Sequence, residues 1–376
     1  MSEAQSGRSW PRAMLVVGLL YLFLVGVKAL ETGIGLAGEG LTERLFEGVD
    51  HPLAGLCVGV LATVLVQSSS VTTATIVGLV GAGSISVEAA VPMVMGANIG
   101  TTVTNTLASL GYLRRSAEFA RAFAGATMHD FFNLAAVAIL LPIEIATGFI
   151  GRFSTEAASW LRGSVATGID RPDSPIKAII KLPVEGLENL VDALGGSAHV
   201  ASAVMLIVAL GAIFTALTLI TRNMRSLLVG RIERSVNRML GRGGGIPAMA
   251  LGLIITVAVQ SSSITTSVMV PLIAAGVLSL RNAYPVTLGA NLGTTVTALL
   301  ASLATDLPAG LAIALAHTMF NLIGILLLYP VPALRGVPLR MAEALARLAT
   351  VRKSIVLVYV VGGFVVIPLI GLLVLQ

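Results

Sequence analysis

Long apolar runs alternate with short charged stretches along the whole chain. Seven of these runs have about the 20 residues that a helix needs to cross a bilayer. They cover residues 13–30, 88–110, 122–143, 200–220, 284–304, 309–329 and 356–375. Because a helix satisfies its own backbone hydrogen bonds inside lipid, this pattern predicts an all-α polytopic membrane protein.

Two further apolar segments are interrupted near their middle by polar residues. Residues 52–83 contain Gln-Ser-Ser-Ser-Val-Thr-Thr, and residues 246–280 contain Gln-Ser-Ser-Ser-Ile-Thr-Thr. We call these polar stretches, residues 67–73 and 260–266, the first and second serine islands. Each half of the two segments is too short to cross alone, so the pattern predicts two re-entrant helical hairpins with the islands at their tips.

The two islands belong to an internal repeat. Residues 67–110 align without gaps with residues 260–303, and 25 of the 44 positions are identical. The alignment includes a Gly-Ala-Asn-x-Gly-Thr-Thr block, which begins at Gly96 and again at Gly289. Paired glycines and an asparagine favour local unwinding at the first block. Beyond the blocks, a small shift aligns the His-x-x-x-Asn pattern of residues 129–133 with that of residues 317–321.

Charged residues are few and lie mainly between the apolar runs. The chain is 56% hydrophobic and 11% charged, with a formal net charge of +5. Its basic residues form no continuous surface, which argues against a nucleic-acid partner. The single Cys57 excludes an intrachain disulfide and a cysteine-based metal site.

The basic stretches also predict an orientation, because they mark the cytoplasmic side of a membrane protein. We place inside Arg8, Arg12 and the basic residues of 114–121, 222–242 and 335–353. The acidic residues of 31–50, the polar linker of residues 151–197 and Asp306 then lie outside. This orientation predicts a multi-pass protein of the inner (plasma) membrane with a cytoplasmic N-terminus.

With this orientation the first hairpin enters the bilayer from outside and the second from inside. The chain is then divided into a first repeat (residues 1–150), an extracellular linker (151–197), a second repeat (198–330), and a surface helix with a last span (331–376). Inverted-topology repeats with broken helices are the architecture of secondary transporters. The predicted function class is therefore transport across the bilayer, with the oligomeric state left open.

Each island lies where one half-helix ends and the next begins, and the free N–H groups at a helix start attract anions. The candidate anion ligands are the island hydroxyl residues Ser68, Ser69, Ser70, Thr72, Ser261, Ser262, Ser263 and Thr265. Uncharged oxygens suit a dehydrated Na⁺. The candidate cation ligands are Gln67, Thr73, Asn98, Thr101, Thr102, Gln260, Thr266, Asn291, Thr294 and Thr295.

Basic side chains are missing from both islands. No Lys or Arg lies between Gln67 and Thr104 or between Gln260 and Leu280. An anion bound at the centre of the membrane must then be balanced by helix dipoles and bound cations, because an unpaired charge there is expensive. Each ligand raises the affinity for the other. The sequence therefore predicts coupled binding of an anion and Na⁺, with no organic cofactor.

These residues resemble the type II sodium-phosphate cotransporter family. The resemblance rests on the two Gln-Ser-Ser-Ser islands, both Gly-Ala-Asn-x-Gly-Thr-Thr blocks, residues 121–130 and the Tyr-Pro-Val-Pro of residues 329–332. It implies one shared site for inorganic phosphate and several Na⁺, and inward transport by alternating access without enzymatic chemistry. The short linker and the end at Gln376 resemble bacterial members.

Three other functions fit parts of the pattern. A sodium-coupled transporter of another oxyanion or of a dicarboxylate would use the same helix starts. An intramembrane serine hydrolase would use Ser69 with His129, but the islands are duplicated and lack a Gly-x-Ser-x-Gly turn. A passive channel is the third. For His129 and His317, structural hydrogen bonds are favoured over a proton relay, and Asp130 has no acidic counterpart in the second copy, where Thr318 stands.

Overall fold

The structure, a computed structural model, describes residues 9–37, 51–166, 175–193, 197–239 and 245–375. The described residues before the linker form helices that we number in chain order. They are α1 (Ser9–Ala37), α2 (Pro52–Val66), α3 (Ser69–Gly81), α4 (Val87–Gly100), α5 (Val103–Ser109) and α6 (Ser116–Thr147). We call α2, the first island and α3 together the first island segment.

The linker and the second half of the chain are also helical. The linker contains α7 (Phe149–Ala166) and α8 (Pro175–Ala193), and α9 (Ala198–Met239) follows. The second island segment consists of α10 (Ile246–Val259), the second island, α11 (Ser262–Ser267) and α12 (Met269–Ala274). The last elements are α13 (Leu280–Ser302), α14 (Pro308–Leu328), α15 (Pro332–Val351), α16 (Ser354–Leu357), a π-helix (Val358–Val366) and α17 (Ile367–Leu375).

Five stretches of the described residues are long and apolar enough to cross a membrane. They are Met14–Ala37, Ser116–Thr147, Ala198–Arg225, Pro308–Leu328 and Ser354–Leu375. The prediction of a multi-pass α-helical membrane protein is therefore confirmed. Two predicted spans are not among these stretches: residues 88–110 are divided between α4 and α5, and residues 284–304 lie in the more polar α13.

Helices α1 and α9 pack along each other through small residues. A methyl group added to Gly26 would lie 2.9 Å from the Ile213 side chain, and one added to Gly33 would lie 2.9 Å from Met205. Ser202 Oγ also donates a hydrogen bond of 2.7 Å to the Gly33 carbonyl. Small residues let membrane helices approach closely enough for favourable packing. Because α1 precedes the first island and α9 precedes the second, this pair joins the two halves of the chain.

The first helix of each island segment packs on the long helix that follows the segment. Helix α2 contacts α4, and α10 contacts α13. A methyl group on Gly59 would overlap the Met93 carbonyl oxygen, and one on Gly252 would overlap the Val286 carbonyl oxygen. The two glycines are equivalent positions of the repeat. Both copies therefore use the same close contact between backbones.

The second helix of each island segment packs on the opposite half of the chain. Helix α3 contacts α13 and α14, whereas α11 contacts α5 and α12 contacts α6. At the end of α12, Arg121 Nε donates a hydrogen bond of 2.8 Å to the Ala274 carbonyl. This exchange of partners puts the two islands between the two halves of the chain.

Three regions differ from what the sequence pattern predicts. The polar linker contains two helices, because α7 and α8 bury apolar side chains such as Ile150 and Val184 against the bundle. The basic stretch after Ile220 is not a loop, since α9 continues through it to Met239. Unwinding at the first Gly-Ala-Asn block is limited to the two residues between α4 and α5. Arg8, residues 38–50 and Arg242, which entered the orientation argument, lie outside the described residues.

Candidate functional site

The first serine island is a break between two helices. Helix α2 ends at Val66, Gln67 adopts a left-handed backbone with a φ of 56°, and Ser68 is extended. Ser68 Oγ accepts a hydrogen bond of 3.3 Å from the Val71 N–H, so Ser68 caps the start of α3 in the usual way for a serine. The polar residues therefore create the helix start that the sequence predicts.

The second island repeats this geometry. Gln260 has a φ of 57°, and Ser261 Oγ accepts a hydrogen bond of 3.4 Å from the Ile264 N–H. Among the described residues, Gln67 and Gln260 are the only ones other than glycine with a positive φ. This conformation costs on the order of 1–3 kcal/mol for a residue with a side chain. Both copies thus hold the same strained turn.

Each glutamine side chain ties its island to a threonine two residues after the Gly-Ala-Asn-x-Gly-Thr-Thr block of the same copy. Gln67 Nε2 donates to the Val64 carbonyl at 2.5 Å, and Thr104 Oγ1 donates to Gln67 Oε1 at 3.1 Å. In the second copy, Gln260 Nε2 donates to the Val257 carbonyl at 2.7 Å, and Thr297 Oγ1 donates to Gln260 Oε1 at 2.8 Å. These bonds orient the glutamine oxygens, which makes the glutamines part of the frame of the site.

Contacts between the islands and the opposite half bring the two copies together. Ser70 Oγ donates to the Gln260 carbonyl at 3.4 Å, which is a direct bond from one island to the other. Ser263 Oγ donates to the Thr101 carbonyl at 3.4 Å, and Asn105 Nδ2 donates to Thr266 Oγ1 at 2.6 Å. The two islands are therefore neighbours in space, and the break between α4 and α5 lies beside the second island.

Ser69 and Ser262 occupy equivalent places at the first turn of α3 and α11. Both are buried, with 7% and 2% of their surfaces exposed. Neither hydroxyl makes a hydrogen bond with another described residue, whereas the neighbouring Ser70 and Ser263 donate to backbone carbonyls. Because neither Oγ atom is among the enclosed polar atoms that lack a partner in the described residues, each hydroxyl retains access to open space at the islands. These two serines are thus the island hydroxyls best placed to donate to a bound anion.

The threonines of the site use their hydroxyl hydrogens inside their own helices. Thr72 donates to the Ser68 carbonyl at 3.1 Å, and Thr265 donates to the Ser261 carbonyl at 3.3 Å. The same type of bond is made by Thr73, Thr101, Thr102, Thr266, Thr294 and Thr295. A hydroxyl that donates its hydrogen still has lone pairs to offer. The threonines are therefore better suited to a cation than to an anion.

Four asparagines from the two halves form one buried cluster, which we call the asparagine cluster. Asn291 Nδ2 donates to Asn133 Oδ1 and to Asn321 Oδ1, each at 2.9 Å. Asn133 Nδ2 donates to the Asn98 carbonyl at 2.7 Å, and Asn321 Nδ2 lies 3.4 Å from Asn98 Oδ1. His317 Nε2 also lies 3.4 Å from Asn98 Oδ1. The cluster joins α4, α6, α13 and α14 at the contact between the halves.

A buried carboxyl group, that of Asp130, lies close in sequence to Asn133 of the asparagine cluster. Asp130 is fully buried in α6, and Tyr359 Oη of the π-helix donates to Asp130 Oδ2 at 2.6 Å. Tyr359 in turn packs against the rings of Phe123, Phe131 and Phe364. The equivalent Thr318 only bonds within its own helix. This contact is one place where the two halves differ.

A cluster of charged residues lies beside the C-terminal end of α13. Lys28 Nζ forms ion pairs with Glu31 at 2.8 Å and with Asp306 at 2.5 Å, and Lys177 Nζ pairs with Asp306 at 3.1 Å. Burial alone would raise the pKa of Asp306, but the hydrogen bonds from Lys28 and Lys177 lower it to about 2. We call these four residues the ionic cluster; it links α1 and α8 to the turn before α14.

Comparison with known proteins assigns these residues to a family. A family model described as Na+/Pi-cotransporter matches residues 22–165 and 212–331. The chain belongs to the Na+/Pi-cotransporter family. The matched residues include both serine islands, the asparagine cluster and the ionic cluster except for Lys177. The family match thus covers the whole candidate site.

The individual relatives of this chain are named as sodium-dependent phosphate transport proteins. Sodium-dependent phosphate transport protein 2A of Rattus norvegicus is 36% identical, in an alignment that covers 97% of this chain and 68% of that protein. Protein 2A of Oryctolagus cuniculus is 36% identical over 94% of this chain and 66% of its own length. Protein 2B of Homo sapiens is 32% identical over 95% of this chain and 64% of its own length. No solved structure matches this member of the Na+/Pi-cotransporter family.

Some residues that this geometry brings to the site are absent from the sets predicted from sequence. Asn133 and Asn321 complete the asparagine cluster, Thr104 and Thr297 hold the glutamines, and Asn105 bonds to the second island. Asn133 and Asn321 carried a signal, because the repeat aligns them. Thr104 and Thr297 are also identical positions of the repeat, but a threonine in a membrane helix is too common to single out.

Proposed function

We propose that this protein imports inorganic phosphate into the cell together with Na⁺. The observation that carries the proposal is the pair of buried serines, Ser69 and Ser262, placed at two helix starts that lie side by side. The relatives are named as sodium-dependent phosphate transport proteins and not as enzymes. The hydrolase hypothesis for Ser69 and His129 is therefore set aside.

In this proposal phosphate binds between the two serine islands. The hydroxyls of Ser69 and Ser262 donate to its oxygens, and the first N–H groups of α3 and α11 add donors at the positive ends of the helices. Ser68, Ser70, Ser261 and Ser263 surround this place. Thr72 and Thr265 support it less directly, because their hydroxyl hydrogens are held by helix carbonyls.

Sodium ions bind beside the phosphate on uncharged oxygens. Threonine hydroxyls whose hydrogens are engaged in the helix present lone pairs to a cation. These are Thr73, Thr101, Thr102, Thr266, Thr294 and Thr295, and the side-chain oxygens of Gln67, Gln260, Asn98 and Asn291 complete the proposed set. A phosphate anion without a basic side chain nearby needs such cations, so phosphate binding and Na⁺ binding strengthen each other.

The island segments are proposed to be re-entrant hairpins of opposite direction. The end of α3 lies beside the turn before α14, because a methyl group on Gly81 would lie 2.5 Å from the Thr305 side chain. The end of α12 lies at the start of α6, where Arg121 bonds to Ala274. The start of α10 lies near the end of α14, with Tyr329 Oη 3.8 Å from a methyl group placed on Gly245. Since α14 crosses the bilayer, these contacts support entry of the two hairpins from opposite faces.

The same contacts support the sidedness expected from the basic stretches. Lys177 of the linker pairs with Asp306, so the linker and the turn before α14 share one face, proposed to be outside. Arg121 and Arg347 line one groove, so the basic stretches after α5 and in α15 share the other face. With this second face in the cytoplasm, the chain is a protein of the inner (plasma) membrane with a cytoplasmic N-terminus.

Transport by alternating access is the proposed movement. Gln67 is exposed at the tip of the first segment, whereas Gln260 is buried at the tip of the second. Equivalent residues with unequal access are expected of inverted repeats caught in one state of the cycle. In the opposite state, Gln260 would become accessible and Gln67 would be covered.

Uptake by the purified protein in lipid vesicles tests the proposed function. We expect vesicles to concentrate radiolabelled phosphate when Na⁺ is high outside, and not when choline or K⁺ replaces it. Equal uptake in choline would contradict the coupling, and uptake that never exceeds the outside concentration would indicate a channel.

Competition identifies the substrate class, because helix starts alone do not distinguish one anion from another. Arsenate, with the shape and charge of phosphate, should inhibit uptake, while sulfate and succinate should not. Stronger inhibition by sulfate or succinate would instead favour the transporter of another oxyanion or of a dicarboxylate.

A further inference from the structure

A groove at one membrane face lies apart from the proposed transport site. It is bounded by the first turns of α6, the turn between α12 and α13, and α15, and it encloses about 440 Å³. Its apolar wall includes Ala124, Ile273 and Leu278, and its charged residues are Arg121, Glu343 and Arg347. We call this cavity the basic groove.

The basic groove is well separated from the islands. Helices α11 and α12 run from Ser262 to Ala274, and Ala274 lies at the groove. Thirteen helical residues span roughly 20 Å. A molecule in the groove therefore does not touch Ser262, and the groove is not another view of the phosphate site.

The charges of the groove are not neutralised within the protein. Two arginines stand against one glutamate, and none of the three forms an ion pair within 4.0 Å with another described residue. All three are exposed. Lys353 lies 4.1 Å above the ring of Phe119, one residue before the groove lining begins. The groove thus presents a net positive charge at its open side.

The wall of the groove is apolar, with Ala124, Ile273, Leu278 and Ala346 in its lining. Helix α15 buries Leu339, Ala342 and Ala346 against the bundle and exposes its charged side, as does a helix that lies in the membrane surface. The candidate membrane span of α6 begins at Ser116, five residues before Arg121 of the groove. A ligand of this groove must therefore combine an anionic group with an apolar chain.

We propose that the basic groove binds an anionic phospholipid. Its phosphate lies between Arg121 and Arg347, and the start of one acyl chain follows Ala124, Ile273 and Leu278. Basic pockets between membrane helices are known to suit anionic headgroups. A free phosphate ion would leave the apolar wall in contact with water, so the lipid is the occupant that matches both parts of the lining.

Lipid retention by the purified full-length chain tests this site. The protein is exposed to phosphatidylglycerol or phosphatidylcholine in detergent, and bound lipid is counted by native mass spectrometry. We expect Arg347→Gln to weaken phosphatidylglycerol binding about fivefold, the loss that one basic residue near a lipid surface causes. Glu343→Gln should strengthen binding. Arg340→Gln is the matched control, since Arg340 is exposed on the same helix outside the groove.

Several outcomes would overturn the proposal. One is equal retention of the two lipids by the unchanged protein. Another is phosphatidylglycerol binding by Arg347→Gln and by Arg121→Gln that is as strong as binding by Arg340→Gln. Displacement of phosphatidylglycerol by millimolar inorganic phosphate would assign the groove to the free ion instead. Because Arg347 is exposed, its replacement should not disturb folding, and unchanged phosphate uptake by Arg347→Gln in phosphatidylcholine vesicles would verify this.

Discussion

Ser69 and Ser262 are the residues on which the proposed phosphate site depends most. Each is buried at a helix start, and neither hydroxyl is used by another described side chain or carbonyl. Thr72 and Thr265, one turn later, differ because their hydroxyls already donate to carbonyls at the starts of the same helices. At the residue scale, a hydroxyl whose hydrogen is free suits the anion. A hydroxyl whose hydrogen is already donated offers only lone pairs and suits a cation.

Replacing either serine should weaken phosphate binding. A hydrogen bond to a charged group contributes about 1.5–3 kcal/mol, so Ser69→Ala and Ser262→Ala should each raise the KM for phosphate roughly tenfold or more. The measurement is the phosphate dependence of uptake at saturating Na⁺. Thr75→Val is the control, since Thr75 lies on the same helix and donates only to the Val71 carbonyl. Wild-type KM in both alanine variants would remove the serines from the site.

The asparagine cluster should contribute to stability as well as to the site. In Asn291→Leu, the oxygens of Asn133 and Asn321 lose their donor, and an unsatisfied buried polar group costs about 1–3 kcal/mol. We expect a lower midpoint of thermal unfolding in detergent, with Asn282→Ala at the start of α13 unchanged. An unaltered midpoint for Asn291→Leu would mean that the cluster does not hold the two halves together.

The two island segments are the elements that carry the proposed site, and glycines allow their close packing. Gly59 and Gly252 bring α2 onto α4 and α10 onto α13 at backbone distance. The capped helix starts then project toward the opposite half, where α3 meets α13 and α11 meets α5. The islands are thus held by contacts on both sides of each break.

Adding one methyl group to this contact should be destabilising. Gly59→Ala and Gly252→Ala force backbones apart, and overpacking of this kind costs about 1–3 kcal/mol. Both variants should unfold at a lower temperature than the wild type. Gly211→Ala is the matched control, because nothing lies within 4 Å of its added methyl group and alanine favours a helix over glycine. Equal midpoints in all three variants would contradict the packing described for the island segments.

The ionic cluster predicts how stability responds to acid. The pKa of Asp306 is lowered to about 2 by its two lysine partners, whereas an unfolded aspartate has a pKa of about 3.9. The cluster therefore stabilises the fold fully above about pH 4, and this stabilisation is lost as the pH falls toward 2. Asp306→Asn should lower the unfolding midpoint at pH 6 and flatten its decline between pH 4 and pH 2. Asp192→Asn, at an exposed position of α8, serves as the control and should follow the wild type. An Asp306→Asn variant that also follows the wild type would refute the prediction.

Element positions were largely predictable from the pattern of apolar and polar residues. The break after Val66 and the break after Val259 both occur where the islands interrupt an apolar run. The break between α4 and α5 was predictable only in part. The aligned block in α13 is nearly identical in sequence but remains helical, so local preference does not decide the outcome. Contacts that only the first copy makes, such as Ser263 with the Thr101 carbonyl, stabilise the break.

At the scale of the whole molecule, the repeat supplies two similar copies, and the contacts between the copies bring together the residues of the proposed site. The sequence does not show that α3 packs on the second half of the chain and α11 on the first half, because these contacts are set by tertiary packing. The same holds for the helices of the linker, whose mixed composition hides their amphipathic faces. The fold class was accessible from the apolar runs. The family was accessible from the islands together with the Gly-Ala-Asn blocks, residues 121–130 and the Tyr-Pro-Val-Pro of residues 329–332.

The central claim is that the two islands form one phosphate site that requires Na⁺. Equilibrium binding of radiolabelled phosphate to the purified protein tests this claim most directly. We expect one phosphate per chain in Na⁺, little binding in choline, and loss of affinity at this single site in Ser69→Ala and in Ser262→Ala alike. Two phosphates per chain, with each variant losing only one of them, would contradict it.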